Sequence, residues 1–92
     1  MTNQDIYRKA VEAYGAYTQT VVAVEELSEL QKELCKAIRN GLEPDRNHLA
    51  EEMADVYIML EQMEMLYRLD TIALWKASKT ERLKSRLEES DT

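Results

Sequence analysis

At 92 residues the chain has room for one small domain, 1–92, and not for two. Apolar residues make up 45% and charged residues 33%, and two glycines with one proline are too few for a hairpin-rich β domain, which leaves an ordered helical protein. Eighteen acids against 12 bases give a net charge of -6, which argues against binding nucleic acid polymers or an anionic membrane, since either needs a basic face.

The first predicted helix runs from about Thr2 to Tyr14, with Ile6, Ala10, Ala13 and Tyr14 at helical spacing. Thr2 and Asp5 are placed as its start signal and Gly15 as its end. In the second, Tyr17, Val21, Val24, Leu27, Leu30, Leu34 and Ile38 describe one apolar face, closed by Asn40-Gly41 with Pro44 beyond. Cys35, the only cysteine, excludes a disulfide framework and fits a reducing, cytoplasmic setting; its expected role is that of a small apolar residue.

The third helix begins after Asp45 or Asn47, with a seam of Leu49, Met53, Val56, Leu60, Met63 and Tyr67. Ala54, Ile58 and Met65 make its far side apolar as well, so it is expected to sit centrally or between its own bundle and a partner subunit. A break near Leu69-Asp70 precedes the fourth helix, which has Asp70 as N-cap, carries Ile72, Trp75, Leu83 and Leu87 on one face and runs towards Glu89, with the last few residues frayed. The expected architecture is all-α, an antiparallel bundle of three to four helices. A chain this short buries only about 60–65% of its unfolded surface, so completion by homo-oligomerisation, as a dimer or tetramer, is expected. The N-terminus lacks the apolar stretch of a signal peptide, and no run approaches membrane-spanning length.

Certain acids fall where a core should be. Glu52 lies on the edge of the third helix's seam between Leu49, Val56 and Met59, and Asp55 lies beside it. Side by side they repel, and taking them out of water is costly unless a cation compensates. Glu26 and Glu29 repeat the spacing on the second helix, with Glu25 and Glu29 one turn apart. Antiparallel packing of the two helices would gather these acids into an oxygen-rich cage suited to Mg²⁺ or Mn²⁺. The alternative for Glu25, Glu26 and Glu29 is an ordinary solvated face. The only histidine, His48, does not follow a glutamate by three, so a di-iron arrangement is set aside, and it reads as a helix-start residue. On the fourth helix Lys79 interrupts the apolar stripe and Arg82 and Arg86 follow along its edge; cations beside a metal–carboxylate cage suit a polyphosphate.

This order of elements resembles the MazG-like, all-α nucleoside triphosphate pyrophosphohydrolases, a superfamily that includes dimeric dUTPase-like members. The resemblance rests on Glu26-Leu27-Ser28-Glu29 as E-x-x-E, on Glu52-Met53-Ala54-Asp55 as E-x-x-D 23 positions further on, and on Lys79-Thr80-Glu81-Arg82 as K-x-x-R. It implies Mg²⁺-dependent cleavage of an NTP or dNTP to the monophosphate and pyrophosphate, by activated water attacking the α-phosphorus, with nucleotide-pool housecleaning as its use. It further implies Glu26, Glu29, Glu52 and Asp55 as metal ligands, and Glu25 as a further ligand or, like Glu26, as the proton acceptor. Lys79 and Arg82 would bind phosphate oxygens and Gln19 would help form the nucleotide pocket, part of which comes from a neighbouring subunit. The competing expectation is a non-catalytic helical interaction or regulatory module; a helix-turn-helix nucleic-acid binder is disfavoured by the charge.

Overall fold

The computed structural model describes residues 1–90 and contains four helices: α1 (Asn3–Tyr14), α2 (Ala16–Arg39), α3 (Arg46–Leu66) and α4 (Ile72–Ser90). Residues 91–92, on which part of the expected fraying falls, lie outside that description. No helix among the described residues is long and apolar enough to cross a membrane.

Local chemistry sets the boundaries. Thr2 caps α1 in a full capping box: its side chain accepts from the Asp5 N–H at 3.1 Å while Asp5 accepts from the Thr2 N–H at 2.9 Å. Gly15, at φ 91°, ends α1 and begins α2 in one residue, a left-handed conformation that costs glycine no side-chain clash. Asp45 caps α3, accepting from the His48 N–H at 3.1 Å. α2 ends in a Schellman motif, with the Leu42 N–H on the Ala37 carbonyl at 2.7 Å and the Gly41 N–H on that of Ile38 at 3.3 Å. α3 ends in the same motif with no glycine. The Leu69 N–H reaches the Glu64 carbonyl at 3.0 Å and the Arg68 N–H that of Met65 at 3.4 Å, with Arg68 itself at φ 53°. The predicted Asp70 cap is one residue early, since the Trp75 N–H bonds the Thr71 carbonyl at 3.1 Å and Thr71 thus stands at the mouth of α4.

Cross-contacts between α2 and α3 run in opposite senses, Gln19 with Gln62 and Glu33 with His48, so the pair is antiparallel. α1 lies against both, held by buried Tyr7, whose hydroxyl donates to Glu61 Oε2 at 2.8 Å. The same bond raises the Tyr7 pKa, since it places the hydroxyl beside a carboxylate.

The α2–α3 seam differs from the expected one. The side of α2 turned to α3 is the row Gln19, Ala23, Glu26, Leu30, Glu33 and Ala37, buried or half-buried throughout. The predicted apolar face points elsewhere: Val24, Leu27, Leu34 and Ile38 are exposed, and Tyr17 is 84% exposed. On α3 the buried residues are Val56, Met59 and Gln62, whereas the expected seam members Leu60 and Tyr67 are exposed. Two factors account for the rotation. Alanines at 23 and 37 let the helices approach closely, and Gln19 and Gln62 satisfy one another at 2.7 Å, so the polar row can be buried.

α4 stands apart. None of its described residues is buried, and no Cα of it lies within 8 Å of a Cα in another helix. The molecule is consequently extended, 53 × 34 × 23 Å with a radius of gyration of 16.8 Å, against about 12 Å for a compact domain of this length.

Candidate metal centre on the α2–α3 seam

The antiparallel register brings Glu26 of α2 level with the first turns of α3. There Glu26, Glu52 and Asp55 each offer a carboxylate oxygen, all lying within 4.8 Å of one another. Spacing explains the α3 half, since residues three apart share a helix face. The α2 half follows from the polar row, on which Glu26 and Glu33 are seven residues apart and so superimpose on the helix wheel.

The electrostatics are those of like charges gathered in a partly dry place. Burial raises the Glu26 pKa first, and the charges of Asp55, Glu52 and Glu29 raise it further. Two turns along, Glu33 behaves in the opposite way. Its Oε1 accepts from Lys36 Nζ at 3.1 Å and lies 3.2 Å from His48 Nε2, and the Lys36 bond, with smaller help from His48, holds its pKa below the usual carboxylate value. His48 Nε2 is also 3.8 Å from Glu52 Oε1, so it spans the seam beside the carboxylate group.

The donors fit a hard divalent cation: three carboxylates from two helices, with no positive charge within the triad to balance them. His48, which the sequence places at the start of α3, also lies at the edge of the group and is engaged by Glu33. Glu33 and His48 are the residues that the sequence reading missed as neighbours of the site. The available signals were the seven-residue step from Glu26 to Glu33 and the four-residue step from His48 to Glu52.

The remaining predicted residues fall at different distances. Glu29 is exposed, outside the triad, yet its charge reaches Glu26. Glu25 is exposed. Gln19 is buried, at 6% exposure, and its amide donates to Gln62. Lys79 and Arg82 are exposed on α4, which is not packed against α2 or α3. A hollow of about 550 Å³ lined by Gln4, Glu61, Glu64, Met65, Arg68, Leu69 and Asp70 contains none of the triad. Donor chemistry, rather than concavity, therefore locates this centre. Comparison with protein-family models, curated proteins and solved structures gives no match, so the geometry and the sequence pattern carry the functional reading.

Proposed function

We propose that the seam is the metal centre of a Mg²⁺-dependent nucleoside triphosphate pyrophosphohydrolase of the MazG-like, all-α kind, with Mn²⁺ able to substitute. The observation that carries this reading is the convergence of Glu26, Glu52 and Asp55, which come from the E-x-x-E and E-x-x-D elements, within 4.8 Å. These three would hold the cation, with Glu29 one turn away as a further donor. When bound, Mg²⁺ supplies the positive charge that draws a triphosphate to an acidic protein and polarises phosphate and water.

The chain's own residues divide the remaining work. Glu25 and Glu26 are the candidates to accept a proton from the attacking water. The Gln19–Gln62 bond fixes the polar row beside the acids, and Gln19 is the proposed contributor to the nucleotide pocket. Lys79 and Arg82 belong to a helix that is net basic within an acidic chain, with Lys76, Lys84 and Arg86 beside them. That character suits binding of phosphate oxygens, and because α4 is unpacked in its own chain, a neighbouring copy in a homo-oligomer, dimer or tetramer, is the proposed supplier. A cytoplasmic nucleotide-housecleaning role is the biological setting of this proposal.

The test is pyrophosphate release from a panel of NTPs and dNTPs with Mg²⁺ or Mn²⁺. Release that is lost in Glu52→Gln and Asp55→Asn supports the reading. No turnover on any member, combined with no metal-dependent rise in Tm, rejects it. The exposed apolar faces of α2 and α4 favour a second reading, a non-catalytic helical interaction or regulatory module. Under that reading the same substitutions leave partner binding intact and raise stability by removing uncompensated charge.

A further inference from the structure

The carboxylate triad has a neighbour that the proposed chemistry leaves without a task. His48 stands in the first turn of α3, where the Asp45 cap takes its backbone N–H and its imidazole reaches across the seam. Its Nε2 lies 3.2 Å from Glu33 Oε1 on α2 and 3.8 Å from Glu52 Oε1, one turn further along α3. An Nε2 between two carboxylate oxygens carries a hydrogen in either charge state of the ring, since a bare nitrogen would set acceptor against acceptors. Glu33 is a fixed anchor: its side chain is only 11% exposed, and Lys36 Nζ donates to the same oxygen at 3.1 Å. Lys36, Glu33, His48 and Glu52 thus form one chain of contacts that crosses the seam and ends on a member of the triad. Among the described residues, His48 is the only basic side chain in ion-pair range of a triad carboxylate.

We infer that His48 is a positioning residue: held by Glu33 across the seam, it fixes the rotation at which the Glu52 carboxylate meets a cation together with Glu26 and Asp55. This rests on the reading of the triad as a metal centre. A carboxylate that offers one oxygen to a cation turns about its broad terminal torsion unless a donor restrains the other oxygen. Such outer contacts set much of a site's affinity. Glu52 has that need. Its side chain is 13% exposed, so water has little access to it, and the other two members of the triad are carboxylates that repel it. His48 is a donor here and not a fourth ligand, because its Nε2 is turned to Glu33 at the shorter of the two distances. Glu33 in turn is an anchor and not a ligand, since it stands two turns beyond Glu26 and Lys36 already balances its charge.

Binding of Mn²⁺ to the full chain, followed through the electron paramagnetic resonance signal of the free ion, tests this without turnover. His48→Ala is expected to weaken Mn²⁺ binding about 10-fold or more. Far-UV circular dichroism should stay helical, because the Asp45 cap uses the backbone of His48 and survives the change. His48→Gln, which returns a donor at nearly the same reach, should recover most of the affinity, whereas His48→Leu, of similar bulk and without a donor, should not. Glu33→Gln should weaken binding in the wild-type chain and add nothing to His48→Ala, since Glu33 acts through His48. Equal affinity in His48→Ala and wild type overturns the inference and leaves the metal centre standing. So does recovery by His48→Leu as full as that by His48→Gln, or a loss from Glu33→Gln that is undiminished without His48. Glu33→Gln leaves His48 in place and decides the matter if the His48 variants do not fold: unchanged Mn²⁺ affinity there also overturns the inference. A wild-type chain that binds no Mn²⁺ overturns it together with the metal-centre reading.

Discussion

The two long sides of α2 invert the usual arrangement. The row facing α3 carries Gln19, Glu26 and Glu33 and is covered, whereas the row facing away carries Val24, Leu27, Leu34 and Ile38 and is open. A helix in an isolated globular chain turns its apolar stripe to the core because that burial dominates folding. The inner side of α2 instead relies on small alanines for close approach and on a polar network for satisfaction. No buried side-chain donor or acceptor among the described residues lacks a partner, so the polar seam is complete in hydrogen bonds and incomplete only in charge, at the carboxylate triad. The outer side is incomplete in burial. The first deficit is of countercharge and the second of cover.

The comparison breaks most sharply if the triad is made neutral. Glu52→Gln is expected to lower Mg²⁺-dependent pyrophosphate release at least about 100-fold while leaving the helical signal unchanged; retained turnover would show that the inner row is structural only.

Packing on the two sides should respond differently. Met59→Ala, on the covered seam, is expected to cost about 2–4 kcal/mol in urea unfolding. Leu27→Ala, on the open row, should cost less than about 0.5 kcal/mol at concentrations low enough to keep the chain monomeric. Equal costs at such dilution would mean that α2 is turned the other way.

Breaking the polar pair has a smaller effect. Gln62→Ala leaves the Gln19 amide without its partner and is expected to cost about 1–3 kcal/mol, whereas Gln19→Leu/Gln62→Leu removes both groups and should recover much of that loss. A double variant as unstable as the single would remove hydrogen bonding as the reason the row is tolerated inside.

The smallest expected effect is the pH dependence of the metal-free protein. The Glu26 pKa is raised above 4.5 in the folded state, so between 4.5 and its folded value the native chain binds more protons than the unfolded one. Stability in EDTA should therefore fall as pH rises through that window, and Glu26→Gln should flatten the slope. Asp5 and Glu33 act in the opposite sense and at lower pH: both are held down in the folded state, and their stabilisation is lost on acidification below their ordinary values of 3.8 and 4.5. Thermal melts at a series of pH values, with and without Mg²⁺, check the sign; added Mg²⁺ should raise Tm most where Glu26 is ionised.

Some features were legible because they depend on neighbours in sequence. The Thr2–Asp5 box, the Gly15 break and the Asn40-Gly41 stop are each set within a few residues and appear as read, and of the two caps open for α3, Asp45 and Asn47, the structure uses Asp45. The end of α3 was harder, because Arg68 adopts the left-handed conformation that glycine usually signals, so residue type gave no marker. Glu52 and Asp55 could be singled out because they interrupt an apolar seam on their own helix. Glu33 and Gln62 were not singled out, and His48 was read only as a helix-start residue, because their significance lies across the seam, in a register that one helix does not encode.

The amino-acid sequence by itself determined an all-helical chain, most of its helix boundaries to within a residue or two, its acidic charge, and the pairing of Glu52 with Asp55 on one turn, because each follows from local hydrogen bonding, steric preference or the 3.6-residue period. Only the tertiary structure decided which side of α2 meets α3, that Glu26 rather than Glu29 joins the triad, that His48 and Glu33 border it, and that α4 stands clear of the other helices. Those outcomes depend on how closely two helices can approach and whether every polar group between them finds a partner, and both are properties of the packed pair.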